Sequence, residues 1–133
     1  MKLSYKSTIN ACFLAYIVQA IINNFTPLLF ITFQREYNIE LSKITLLITM
    51  NFLIQLSVDL VCAKAVDKVG YRTSMVIAHI LSAVGLVSLA VLPGVMKSAF
   101  AALAISVIVY AIGGGILEVL VSPVMEACPT DNK

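Results

Sequence analysis

The sequence predicts an all-α membrane protein of four transmembrane helices, with both ends on the cytoplasmic side. Three observations predict it. Of the 133 residues, 60% are hydrophobic and only 12% are charged, where an ordinary soluble domain carries about 25% charge. The apolar residues gather into four long runs, roughly 7–33, 44–66, 73–92 and 98–125. Each run meets the need for about 20 residues to cross a hydrocarbon core about 30 Å thick.

The first run follows Lys2 and Lys6, as the apolar part of a secretion signal would. It is too long for one, has no small-x-small cleavage site, and precedes further apolar runs, so it is read as a first span. A polar connector over 34–43 carries Arg35, Glu36, Asn38 and Glu40. A tight charged turn over 67–72 separates the second and third runs, and Pro93 followed by Gly94 is expected to stop the third. Lipid offers no partner for backbone N–H and C=O groups, so each span must satisfy its own, as a helix does. A β-barrel would alternate apolar and polar residues over about 10 positions, and the run Leu-Val-Ser-Leu-Ala-Val-Leu over 86–92 does not.

Orientation follows from Lys and Arg, which favour the cytoplasmic side. With the N-terminus inside, Lys2, Lys6, Lys64, Lys68, Arg72 and Lys133 are inside, against Arg35, Lys43 and Lys97 outside. The net charge of +2 and the absence of a basic run exclude a nucleic-acid partner. Cys12, Cys62 and Cys128 form no CxxC pair and no His stands at ligand spacing, so neither a metal nor a cofactor is expected, and the thiols are expected to be reduced.

Three ionisable residues fall at membrane depth: Asp59, His79 and Glu118. An acid at mid-span costs about 2.5–3.5 kcal/mol on the insertion scale, and apolar neighbours at about −0.3 to −0.6 kcal/mol each outweigh it. Such a residue faces protein or water and is a functional candidate by default. Residues three or four apart share a helix face, and the polar residues follow that spacing. Tyr16, Gln19, Asn23 and Thr26 form a stripe on the first span, Asn51, Gln55 and Asp59 on the second, and Ser106, Tyr110, Gly114 and Glu118 on the fourth. The first and fourth spans are therefore expected to line a wet cavity, with the second bordering it and the third facing mostly lipid. Asn51 and Gln55 are read chiefly as interhelical hydrogen-bond groups, and Asp59 and His79 are candidates for an intramembrane ion pair or relay. The run Gly113-Gly114-Gly115 lacks the preceding strand and Lys-Ser/Thr of a phosphate loop. It is expected to allow close helix approach or bending, and Pro27 and Pro123 are expected to kink their helices.

The stretch over 63–72, Ala-Lys-Ala-Val-Asp-Lys-Val-Gly-Tyr-Arg, resembles the signature loop G-x-x-x-D-[RK]-x-G-[RK]-[RK] of the major facilitator superfamily. Asp67, Lys68, Gly70 and Arg72 match; Ala63 stands for the first glycine and Tyr71 for a basic residue. That loop lies between the second and third helices on the cytoplasmic side, where the resemblance makes these four residues part of a gate. Gly70 permits a positive φ in a very short turn, and Asp67, at the negative pole of a helix, needs a partner such as Arg72.

The stretch over 113–123 resembles the G-x-G-x-L-E-x-x-x-N-P pattern of fucose permease-like sugar:proton symporters, with Glu118 on the proton-linked acid and Ser122 in place of Asn. Asn23 and Asn24 match an Asn-Asn pair, and the acid expected a few positions later is Pro27 here.

The resemblance implies the N-terminal four-helix portion of a twelve-helix secondary transporter of the cell membrane. Glu118 would handle the proton, Tyr16, Gln19, Asn23, Asn24 and Tyr110 would border the solute cavity, and a small polar solute such as a sugar would be moved. The expected partners are that solute, protons, the lipid bilayer and the remaining transporter helices; the chain would be a truncated product, a split subunit or a fragment. The alternatives are a self-contained dimeric four-helix exporter, like the small multidrug-resistance proteins but without their acid in the first span, and a non-transporting membrane subunit. An enzyme is not expected, since one His and scattered hydroxyls offer no nucleophile–base pair.

Overall fold

Four long helices form, and each runs past its apolar stretch into polar sequence. A computed structural model describes residues 5–129, apart from the side chain of Ala63. Lys2 and the polar tail from Thr130 to Lys133 lie outside the described residues. The first span covers Tyr5–Tyr37, the second Leu41–Val69, the third Tyr71–Val95 and the fourth Ala99–Ala127. At 25 to 33 residues each they are long enough to span a bilayer.

The helix ends are set by backbone chemistry. The first span stops where Asn38 turns left-handed at φ 52°, and Ile39 N–H donates back to Gln34 O at 3.2 Å. This C-terminal cap tucks the apolar Ile39 in behind it. The polar residues Gln34–Tyr37, read from sequence as connector, are therefore helical. Only Gly70 separates the second and third spans, at φ 92° and ψ 141°, a region open to glycine and costly for other residues. Pro93 does not stop the third helix, contrary to the sequence expectation. The helix continues to Val95 and closes with Met96 N–H donating to Leu92 O at 2.9 Å. Proline forfeits one donor but keeps a helical φ, so two further residues follow it. The fourth span starts at Ser98, whose hydroxyl accepts from Ala101 N–H at 3.4 Å, as N-cap serines do.

The fourth span is the centre of the bundle. Of its most apolar stretch 61% is buried, against 22% for the second and third spans and 28% for the first. The third span packs one narrow ridge of small residues on it, Ser74, Ala78, Ser82, Gly85 and beyond them Leu89 and Pro93. Its other face exposes Val76, Ile80, Val84, Val87 and Val91. An apolar surface this extensive is untenable in water and suits lipid.

Three consecutive glycines let three neighbours in, because successive helix residues point about 100° apart. A Cβ on Gly113 would lie 2.7 Å from Ser82 N and 2.8 Å from Ala78 O, on the third span. One on Gly115 would meet Val58 at 3.0 Å, on the second. One on Gly114 would meet Gln55 Nε2 at 3.1 Å and Gln19 Oε1 at 3.2 Å. Two apolar clusters result. One gathers Ile22, Phe30, Leu47, Leu89, Leu103 and Val107 in one half of the bundle. The other gathers Cys12, Ala15, Val66, Ala78, Leu117 and Leu120 in the half that holds Gly70 and the described chain ends.

Candidate functional site

A polar ladder crosses the bundle between these clusters, built by the first, second and fourth spans. Its lowest rung pairs the Tyr16 hydroxyl with Ser122 Oγ at 3.2 Å. One turn on, Gln19 Nε2 donates to Glu118 Oε2 at 3.0 Å. Gln55 Nε2 then donates to Asn23 Oδ1 at 2.9 Å and, more weakly, to Asn51 Oδ1 at 3.4 Å. Gln19, Asn51 and Gln55 are all buried, while Glu118 is exposed on the surface of the bundle. Gln19 Oε1 and Asp59 Oδ1 are buried without a hydrogen-bond partner, so the ladder keeps two free acceptors.

The first span reaches these rungs through a π turn over Ile21–Phe25. Pro27, two residues past it, has no N–H for the carbonyl one turn back, and a widened turn is one way a helix absorbs that loss. Asn24 Nδ2 donates to Ala20 O at 2.9 Å within the same stretch. The matched pair thus divides its work. Asn23 joins the ladder, while Asn24 is exposed beside Ile17, Ile21 and Leu28, off the ladder.

Several residues sit elsewhere than the spacing suggested. Tyr110, expected on the cavity, is only 1% exposed and packs against Gly85 of the third span, where a Cβ would approach its backbone N to 2.5 Å. Ser106 is buried and donates to Ala102 O of its own helix at 2.9 Å. The fourth span is thus core over most of its length and reaches the surface of the ladder at Glu118. His79 is no partner of Asp59: its Nδ1 donates to Met75 O at 2.8 Å, on its own helix. In the turn, Asp67 accepts from the Tyr71 hydroxyl at 3.3 Å, the residue that replaces a basic one in the signature, and not from Arg72.

Sequence spacing marked each rung's residues but missed two arrangements. Ser122, noted only as standing in place of an Asn, was not paired with Tyr16, although it lies four residues past Glu118 on the same stripe. Gly114 was read as part of a close-approach run and of the stripe with Glu118, but not as the notch that admits two glutamine side chains. Among the described residues, no group of three or more His, Cys, Asp and Glu is placed to hold a metal ion.

Four helices long and apolar enough to cross a bilayer, packed as one bundle, define a multi-pass membrane protein. The chain belongs to the major facilitator superfamily, whose family model matches residues 11–128. That superfamily comprises secondary transporters rather than enzymes. No curated protein and no solved structure matches the chain.

Proposed function

We propose that the chain is the N-terminal portion of a cell-membrane transporter that moves a small polar solute, of the sugar class, by alternating access coupled to protons. In this reading both ends face the cytoplasm, and further transporter helices close over the face that exposes Glu118. The position of Glu118 carries the proposal. It is an acid in the middle of an apolar span, exposed on the bundle, with Gln19 donating to it at 3.0 Å. A carboxylate turned to lipid there costs about 2.5–3.5 kcal/mol, so this face meets water or protein.

Glu118 takes up and releases the coupling proton. Tyr16, Gln19 and Asn23 present hydroxyl and amide groups to a polyol within one to two helical turns of it, and Asn24 meets solute from the flank. The 67–72 turn serves as the cytoplasmic gate, with Asp67, Lys68, Gly70 and Arg72 as its working residues. Asp59 tunes the ladder through its free oxygen.

The full transporter, reconstituted in vesicles with an imposed pH gradient, tests this. The wild type should accumulate one of a panel of sugars, and Glu118→Gln should abolish accumulation while leaving downhill exchange. Unchanged accumulation by the variant overturns the coupling role, and no sugar uptake by the wild type overturns the solute class.

A further inference from the structure

Two adjoining cavities open at the end of the bundle that holds Gly70. One, of about 310 Å³, lies between Thr8 and Ala11 of the first span, Arg72 and Met75 of the third, and Val124 of the fourth. The other, of about 350 Å³, shares Thr8, Tyr71 and Val124 with it and extends to Tyr5 and Pro123. Together they make one groove between the first and third spans, floored by the fourth.

The groove changes character along its length. Arg72 stands at one side with its cationic guanidinium. Among the described residues it has no hydrogen-bond or ion-pair partner, because Asp67 accepts from Tyr71 instead. Ser7 and Thr8 hydroxyls and the Tyr5 and Tyr71 phenols surround the mouth, and Ala11, Met75 and Val124 form an aliphatic floor. Both tyrosines are well exposed. Tyrosines at span ends mark the level of the lipid headgroups. At the same end, Lys6, Lys64, Lys68 and Arg72 outnumber Asp67 and Glu126.

A cation and hydroxyls at headgroup level above an apolar floor match an amphiphile with a negative head. We propose that this groove binds an anionic phospholipid, its phosphodiester on Arg72 and an acyl chain along the Ala11, Met75 and Val124 wall. Basic pockets between transmembrane helices commonly hold such headgroups. A soluble phosphate would share the contact with Arg72 but gain nothing from the floor. This site is separate from the ladder and does not rest on the role of Glu118.

Native mass spectrometry of the full transporter, purified in detergent and titrated with phosphatidylglycerol or phosphatidylcholine, tests the proposal. The wild type should retain phosphatidylglycerol in preference. Arg72→Gln should lower that retention about fivefold, the effect of one cation near an anionic surface. Ala11→Phe, which fills the groove and keeps the charge, should lower it comparably, and Lys64→Gln, a cation outside the groove, should leave it unchanged. Equal retention of the two lipids overturns the site, as does a loss with Lys64→Gln equal to that with Arg72→Gln. Competition by millimolar inorganic phosphate that matches phosphatidylglycerol would assign the cavity to a free anion and overturn the lipid. If Ala11→Phe fails to fold, the Arg72→Gln and Lys64→Gln pair decides alone.

Discussion

The fourth span meets its neighbours in two different ways. Against the third span the contact is steric and close to the backbone: Gly85 on Tyr110, and Gly113 on Ala78 and Ser82. Against the first and second spans, apolar packing and the Gly115 contact with Val58 are joined by the ends of polar side chains, Gln19, Gln55 and Glu118, near Gly114. Backbones in contact have one arrangement, whereas side-chain amides exchange partners at low cost. The third and fourth spans thus pack backbone to backbone at two glycines, and the side-chain amides lie on the side that carries the acid.

Substitutions at adjacent glycines break this comparison most directly. Gly113→Ala forces a Cβ within 2.8 Å of backbone atoms that cannot swing away. It should cost about 3 kcal/mol, the upper end for overpacking, seen as a large drop in melting temperature and in monodisperse yield. A normal melt would show that the pair is not locked. Gly114→Ala meets only side-chain ends, at 3.1 and 3.2 Å. Its melting should change by less than about 1 kcal/mol, while displacement of Gln19 from Glu118 should lower solute uptake about tenfold, the scale of a hydrogen bond to a charged group. If both glycines lost stability alike, the two sides would be equally rigid.

Smaller effects sharpen the contrast. Gln55→Leu removes the bonds to Asn23 and Asn51; the interhelical one, to Asn23, should cost about 0.6 kcal/mol, the average for such a bond in a membrane. Thermal melts in one detergent would register it. Tyr110→Phe keeps the backbone and Cβ contact with Gly85 and removes only the hydroxyl. It should shift stability by no more than about 0.6 kcal/mol, the average for one interhelical hydrogen bond in a membrane, and a larger loss would mean that this contact depends on polarity after all.

The spans were legible because twenty apolar residues in a row have few other uses. Their ends were less so, since Asn38 and Gly70 end helices through backbone conformation, and polar residues before them remain helical. Pro93 misled for a related reason: a lost donor near a helix end is a small defect. The polar stripes were legible from their spacing, but spacing gives a face and not the neighbour it meets. That is why Tyr110 and Glu118, two turns apart on one stripe, end in core and at the surface, and why His79 bonds its own helix while Asp59 is left free. The three glycines were read as close approach, yet nothing in the sequence assigned each to a different partner.

The π turn at Ile21–Phe25 amounts to a helix holding one residue more than its register needs. The chain before it is therefore phased differently from the chain after it. Winding the same residues as a plain α-helix, without the wide turn, would rotate everything upstream by about 100°. Tyr16 and Gln19 would then face away from Ser122 and Glu118 with no chemical group altered. Here the alignment of the acid with its donors is a matter of arithmetic as much as of composition.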